Sequence, residues 1–467
     1  MPTRSQPSPL RRVVRDRRDS NLLLNYSVTK NGFLPSRAPL RRLSDPYYAP
    51  WEVVLDGLPK LIKEKSIRKA VDGLEVLSTD RLSAEEEWRR AYVILSFLTH
   101  GYIWGGDKPA EVLPPAISIP FLRVAHHLDL PPVATYAALN LWNFRSTGVD
   151  FRDLDSLEAL HTFSGTEDES WFFVLSAAME AQGAHIIPVM LRALEAVERR
   201  DYGAMIDGLD ALTACIGTLG RTLDRMQEKC DPAVFYHQIR PYLAGTKNME
   251  AAGLPNGVFY DEGNGAGSWR HLRGGSNGQS SLIQFFDAVL GVEHTSTGTG
   301  TSRGPPRPEG SSRELERPPT GSSREMTFHQ EVRFYMPGPH RRFLESVSRM
   351  ASLRDFAMLE TSSSPEHRKL RQSFETAAKA LGDFRHKHMQ MVTRYIVIPS
   401  RKQTATVKEE EKERKEEMED RRVNLATASS GQLRQESELT GTGGTALIPF
   451  LKQTRDETYA AAAATAI

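Results

Sequence analysis

Apolar residues recur at helical spacing over most of this chain. The clearest run repeats at i, i+3, i+4, i+7 and i+8 and comprises Leu282, Phe285, Phe286, Val289 and Leu290. Ser83, with Glu86 three residues later, predicts a capping box at the start of another helix. The stretch from Trp171 to Leu191 is apolar almost all round, which is typical of a helix buried on most of its surface. Because few segments alternate as strands do, the pattern predicts an all-α fold.

Breaks in this pattern predict the domain organisation. Residues 1–20 are basic and polar, which predicts a disordered tail. A small, mostly helical domain is predicted over 21–160 and a large helical domain over 161–467. Two low-complexity or highly charged stretches, at about 295–325 and 400–438, predict disordered insertions in the large domain.

Composition and charge narrow the function classes. The chain has 467 residues, 39% of them hydrophobic, which is enough for a substantial core. A formal net charge of +1 does not indicate a protein that binds nucleic acid. No apolar run approaches the roughly 20 residues needed to span a membrane. The two cysteines, Cys215 and Cys230, make no disulfide framework and fit a reducing compartment, so we expect a cytoplasmic protein. Prolines and acidic residues in the basic N-terminus favour a tail over a mitochondrial targeting signal.

The thirteen histidines give little support for a metal site built from protein ligands alone. His126 and His127 are adjacent and face different sides of a helix. His386 and His388 are two residues apart, a spacing that also diverges on a helix. A zinc or di-iron site is therefore poorly supported.

His340 differs from the other histidines because Pro337 and Pro339 restrict the backbone just before it. This predicts a histidine in the first turn of a helix, with one ring nitrogen free. A single histidine suits an axial haem ligand, since the porphyrin supplies the other four donors. The residues alone leave a second interpretation open, a helix N-terminal histidine without a ligand.

The segment from Gly274 to Ser281 predicts a tight loop that exposes backbone before an apolar helix. It is not a phosphate-binding loop, since no Lys-Ser or Lys-Thr follows the last glycine. Two interpretations remain, a helix-capping turn and a loop that presents backbone N–H groups and the Ser276 hydroxyl to a ligand.

Eight segments, in the same order along residues 45 to 455, resemble the indoleamine 2,3-dioxygenase family, and the insertions resemble those of fungal members. The segments are Leu130–Tyr136, Phe172–Ser176, Arg240–Gly245, Gly274–Ser281, Phe286–Gly291, Tyr335–Arg341, Thr393–Pro399 and Gly441–Thr445. The resemblance implies a monomeric enzyme that binds haem b in its large helical domain and opens the indole ring of tryptophan.

The resemblance also implies the site residues. Those for the substrate are Tyr136, Phe172, Phe173, Ser176, Phe235, Arg240, Ser276 and Thr442. Those for the haem are His340 as the proximal iron ligand, Gly275, Ser276, Asp287 in the proximal surroundings and Arg333 as an ion-pair or propionate partner. Arg240 would take the substrate carboxylate in a bidentate fork, and the phenylalanines would face the indole.

In the implied reaction, L-tryptophan and the co-substrate O₂ give N-formyl-L-kynurenine, a step on the kynurenine route to NAD. The resemblance also implies an external reductant and other indoleamines as further substrates. No residue is expected to act as acid or base, because Ser176 stands where the related tryptophan 2,3-dioxygenase has a histidine. Leu139, Asn140 and Asn277 depart from residues common in the family and alter pocket polarity. Two alternatives stay open, a haem-binding sensor or signalling protein with little or no turnover and a helical interaction module.

Overall fold

A computed structural model of the protein describes residues 23–295, 326–359, 364–401, 439, 441–442 and 446–462. Helices dominate these residues, and the all-α fold class is confirmed. The predicted tail at 1–20 lies outside the described residues, as do the predicted insertions at 295–325 and 400–438 except at their first residues.

The helices follow one another through the whole described chain. In chain order they are α1 (Ala49–Asp56), α2 (Leu58–Lys63), α3 (Ile67–Asp72), α4 (Glu85–Trp104), α5 (Pro115–His127), α6 (Glu167–Gln182), α7 (Ile186–Arg199), α8 (Tyr202–Asp224), α9 (Met226–Lys229), α10 (Pro232–Val234), α11 (Arg240–Leu243), α12 (Ser281–Val289), α13 (Phe328–Val332), α14 (Gly338–Val347), α15 (Leu353–Ala357), α16 (Pro365–Val392) and α17 (Leu447–Ala461). Three further segments are π-helical: Ala137–Leu141, Phe235–Ile239 and Thr393–Val397.

Five short strands make two small sheets within the described residues. They are β1 (Val112–Leu113), β2 (Phe144–Ser146), β3 (Leu157–Ala159), β4 (Val258–Gly263) and β5 (Ala266–Arg270). β1 pairs in parallel with β4, which pairs antiparallel with β5, and β2 and β3 form an antiparallel pair. The strands lie in the segments that connect helices, and none of them lines the large internal cavity.

Two local predictions need correction. The capping box predicted from Ser83 and Glu86 is wrong: α4 begins at Glu85 after Ala84, which has no side-chain acceptor, and the Glu87 carboxylate instead accepts the Ala84 N–H. The apolar stretch from 171 to 191 is two helices, α6 and α7, that are bent by 42°. At the break, a Cβ on Gly183 would come within 2.3 Å of the Leu282 side chain, so glycine allows α12 to pack closely.

Two hydrophobic clusters hold the helices together. The first extends from Leu34 to Ala181 and includes parts of 223–261 and of the π-helix after α16, whereas the second gathers α7, α8, α12, α14 and most of α16. The predicted domain boundary near residue 160 stays a prediction, and the first cluster runs across it to the end of α6. No single helix among the described residues combines the length and hydropathy of a membrane span; α6 and α7 pass that test only as a bent pair.

Candidate functional site

A cavity of about 250 Å³ lies where α6, α16, α17, the π-helices and the glycine loop meet. Most of its lining is apolar, which suits a flat hydrophobic group. The structure brings eight of the predicted site residues to its wall: Tyr136, Phe172, Ser176, Phe235, Arg240, Gly275, Ser276 and Thr442. Segments as far apart in sequence as Tyr136 and Thr442 therefore meet at one site.

Each of the three π-helical segments contributes to this cavity. The first, Ala137–Leu141, carries Leu139 and Asn140, and the second begins at Phe235. The third extends the end of α16 and carries Tyr395 and Ile396. A π-helical turn inserts one residue into a helix and turns the following side chains, which is why such turns are frequent at functional sites.

Aromatic rings form one wall of the cavity. Phe172 and Phe235 meet edge to face with ring centroids 5.0 Å apart, and Phe235 meets Tyr395 at 5.7 Å. Phe173, also predicted to bind the substrate, does not line the cavity. Its side chain is only 1% exposed and packs edge to face against Phe97, because neighbouring positions on a helix face different sides.

Arg240 brings positive charge to an otherwise apolar wall. It is the first residue of α11, its side chain is fully buried, and its guanidinium lies 5.7 Å from the centroid of the Tyr236 ring. Burial lowers its pKa to about 10, so it remains charged at neutral pH. A buried guanidinium at a cavity wall suits a carboxylate, which it can bind through two parallel hydrogen bonds.

The glycine loop closes one side of the cavity through backbone contacts. A Cβ on Gly274 would come within 2.0 Å of the Leu243 carbonyl oxygen, so only glycine lets the two backbones meet. The Thr442 hydroxyl donates to the Gly275 carbonyl at 2.9 Å, and the Thr442 carbonyl accepts the Gly274 N–H at 3.3 Å. The Ser276 hydroxyl accepts the Gly278 N–H and so caps the turn that follows, as the capping-turn interpretation predicts. The loop also lines the cavity, and its presentation to a ligand stays a prediction.

Sequence reasoning missed a buried carboxyl group at the cavity. Glu180 Oε1 accepts hydrogen bonds from the Tyr136 hydroxyl at 3.1 Å and from the Ser280 hydroxyl at 2.6 Å. Burial raises the pKa of Glu180 to about 7, against hydrogen bonds that lower it. Glu180 lies four residues after Ser176 on α6, and this one-turn spacing was its only sequence signal.

The structure contradicts the assignment of His340 as the axial haem ligand. His340 does lie in the first turn of α14, but Nδ1 is 3.1 Å from the Ser281 hydroxyl and the ring packs 5.0 Å from Phe33. It faces a separate cavity of about 20 Å³, which has room for about one water molecule and none for a porphyrin. Burial, aided by the Arg89 charge, lowers its pKa to about 3. His340 is thus a buried, neutral packing residue.

Two other histidines, His329 and His388, line the large cavity. His388 lies in the 28-residue helix α16, whose Phe384 and Met391 also face the cavity one turn away on either side. Burial lowers the pKa of His388 to about 4, so its imidazole is neutral and can act as a ligand. Neither ring nitrogen has a hydrogen-bond partner within the part of the chain that the structure describes.

His329 is held differently. Its ring stacks on His294 with centroids 3.7 Å apart, and the Phe450 ring packs beside it at 5.3 Å. It belongs to the five-residue helix α13. Of the two imidazoles, His388 is therefore the one that lies on a long helix and has no ring stacked on it among the described residues.

Asp287 and Arg333 do not line the cavity. Asp287 Oδ2 accepts a hydrogen bond from Arg385 at 2.7 Å and lies 3.3 Å from His294 Nε2. Burial alone would raise the pKa of Asp287, but the Arg385 charge and His294 hold it well below its usual range. Arg385 lines the cavity one turn before His388, so Asp287 anchors the helix that carries His388.

Arg333, predicted as an ion-pair or propionate partner, instead donates from Nε to the Gln284 amide oxygen at 2.7 Å. Across the described ranges, no group of three His, Cys, Asp or Glu side chains is placed to hold a metal ion. The fold and cavity define a helical protein with an internal site for an aromatic, anionic small molecule, bordered by a neutral imidazole.

Comparison with known proteins identifies the family. The family model for indoleamine 2,3-dioxygenase matches residues 22–461. The chain is 38% identical to an indoleamine 2,3-dioxygenase of Aspergillus nanangensis, with 93% of this chain and 95% of that relative aligned, and 38% identical to that of Saccharomyces cerevisiae, with 94% of each aligned. It is 34% identical to a 6-hydroxytryptophan 2,3-dioxygenase of Fusarium equiseti, with 93% of this chain and 96% of that relative aligned. The chain belongs to the indoleamine 2,3-dioxygenase family and is an oxidoreductase of the dioxygenase class.

Proposed function

We propose that this enzyme uses haem b to insert both atoms of O₂ across the indole C2–C3 bond of L-tryptophan, which gives N-formyl-L-kynurenine. The observation that carries the proposal is the cavity itself, where an aromatic wall, the buried Arg240 and the neutral imidazole of His388 meet. Family membership supports the reaction class. Other indoleamines, an external reductant, a monomeric state and a cytoplasmic location belong to the same proposal.

The residues at the cavity fit a haem group held through His388. One imidazole is sufficient, because the porphyrin provides four donors to the iron and leaves one position for a small ligand. Phe384 and Met391, one turn away on either side of His388, offer apolar surface to the porphyrin. When bound, the haem would supply the iron chemistry that activates O₂.

The chain's own residues would bind and orient the substrate. Arg240 would bind the carboxylate, and Phe172 and Phe235 would pack against the indole ring. Thr442 and the glycine loop, joined by two hydrogen bonds, would cover the site and exclude water. No protein acid or base is assigned to the reaction; Oε1 of the Glu180 carboxyl accepts from Tyr136 and Ser280, and Oε2 is buried without a partner among the described residues.

Three single substitutions test the haem assignment: His388→Ala, His340→Ala and His329→Ala. Each protein is loaded with hemin, and its absorption spectrum is recorded in the ferric and the dithionite-reduced forms, followed by an assay for kynurenine after deformylation. We expect the His388 variant to lose the wild-type Soret band and turnover. The His340 and His329 variants should keep the Soret position, because neither ring would ligate the iron.

A wild-type Soret spectrum in the His388 variant would refute His388 as the axial ligand, and its loss in the His329 variant alone would move the assignment there. A wild-type protein that takes up hemin but forms no kynurenine from tryptophan would favour the haem-binding sensor over the enzyme. A protein that takes up no hemin would exclude both.

A further inference from the structure

Asn140 is a polar residue in the aromatic part of the cavity. It lies in the π-helical segment Ala137–Leu141, lines the cavity and is only 4% exposed. Its side-chain amide Nδ2 donates to the Phe173 carbonyl at 3.0 Å. This bond holds Asn140 beside the turn of α6 that carries Phe172 and Ser176, the wall against which the indole ring is proposed to pack.

The Phe173 carbonyl determines which way the Asn140 amide faces. A carbonyl oxygen can only accept, so the NH₂ group must point at it and the Oδ1 atom must occupy the other position. Oδ1 has no hydrogen-bond partner within the described ranges of the chain. It is not among the fully buried atoms that lack a partner, so it is accessible from the cavity that Asn140 lines. A ligand that fills the cavity would remove water from this acceptor, so the atom favours a ligand that brings a donor.

Neighbouring polar groups do not supply that donor. The Tyr136 hydroxyl, four residues earlier, already donates to Glu180. Leu139, the adjacent residue, is apolar and lines the same cavity. Asn140 Oδ1 is therefore an acceptor without a protein donor, in the mostly apolar wall against which the indole ring is proposed to pack.

We propose that Asn140 determines substrate specificity by accepting a hydrogen bond from a donor on the substrate's ring system. The donor is either the indole N–H or a hydroxyl group on the benzene ring of a hydroxylated tryptophan. This inference rests on the proposed function, because it places the indole ring in the cavity. A site built around a hydrogen bond discriminates strongly against an analogue that lacks the donor.

The test compares ligand binding to wild type, Asn140→Leu and Leu141→Met. Leucine has the same number of side-chain heavy atoms as asparagine but no acceptor, and Leu141→Met is the matched control that changes the adjacent residue of the same π-helical segment, which does not line the cavity. Dissociation constants are measured by spectral titration of hemin-loaded protein. The ligands are tryptophan, its benzofuran analogue, in which oxygen replaces the ring N–H, and 5-, 6- and 7-hydroxytryptophan.

We expect Asn140→Leu to weaken binding of the donor-bearing ligand by about 5- to 150-fold relative to the ligand that lacks that donor, since an unsatisfied buried group costs about that much. If the donor is the ring N–H, tryptophan loses affinity relative to the benzofuran analogue. If it is a hydroxyl group, one hydroxytryptophan loses affinity relative to tryptophan. Leu141→Met should leave these ratios unchanged.

Equal losses for all ligands in Asn140→Leu would overturn the proposal. Wild type alone provides a second test that needs no folded variant. If it binds the benzofuran analogue as tightly as tryptophan and prefers no hydroxytryptophan, Asn140 has no such role. A wild-type protein that binds neither hemin nor tryptophan would overturn the proposed function, and this inference with it.

Discussion

The ion pair between Asp287 and Arg385 predicts a large effect on stability. The two side chains are 6% and 10% exposed, and Arg385 Nη2 lies 2.7 Å from Asp287 Oδ2. The pair joins α12 to α16 across 98 residues of sequence, one helical turn from His388. Asp287→Asn keeps the size of the side chain but leaves the Arg385 guanidinium buried without its counter-charge.

Removing one partner of a buried pair costs about 3–5 kcal/mol, because the remaining charge loses its compensation. We therefore expect Asp287→Asn to lower the free energy of unfolding of hemin-free protein by about that amount. The measurement is urea unfolding at pH 7, followed by circular dichroism. The matched control is Glu375→Gln on α16, the helix that carries Arg385. It breaks an exposed ion pair with Arg371 and should change the free energy of unfolding by less than about 1 kcal/mol.

The difference in free energy of unfolding between wild type and Asp287→Asn should depend on pH, because the pKa of Asp287 is lowered in the folded protein. A carboxyl group whose pKa is lower in the folded protein stabilises the fold above its unfolded pKa, which is about 3.9 for aspartate. That contribution disappears as the pH falls further, through the folded pKa. The stability difference between wild type and Asp287→Asn should thus be full at pH 7 and should shrink below about pH 4. A variant as stable as wild type at pH 7, or a difference that grows on acidification, would contradict the assigned ion pair.

Three further substitutions test the cavity. Arg240→Ser should raise KM for tryptophan by about 10- to 150-fold, since a charge-assisted hydrogen bond contributes about 1.5–3 kcal/mol, and an unchanged KM would remove Arg240 from the site. Thr442→Ala should raise KM several-fold, because the hydroxyl bond that holds Thr442 on the glycine loop is lost, whereas Thr442→Ser should behave as wild type. Because the pKa of Glu180 is raised to about 7, the folded state of wild type should lose stability as the pH rises from about 4.5 to 7. Glu180→Gln should lack that loss. An identical dependence of stability on pH in both proteins would count against a raised pKa.

Short motifs predicted the location of many site residues, but not the contacts between them. Phe172, Arg240 and the glycine loop each belong to a compact apolar or glycine-rich segment, and the structure brings all of them to the cavity. The bonds that tie Glu180 to Tyr136 and to Ser280 join residues 44 and 100 positions apart. No local sequence pattern predicts contacts between residues so far apart in the chain, because these contacts arise when whole helices pack together.

The choice between His340 and His388 shows the same limit more sharply. Pro337 and Pro339 predict the backbone at His340 correctly, yet a helix start does not determine what the side chain faces, and here it faces Ser281. The spacing of His386 and His388 excludes a shared metal but says nothing against either histidine alone. The informative signal was an apolar stripe along α16 and the π-helical segment that extends it. Its members follow one another at intervals of three or four residues: Leu381, Phe384, His388, Met391 and Tyr395. A histidine within such a stripe faces the interior, and because the interior here contains a cavity of about 250 Å³, His388 faces that cavity rather than the packed core.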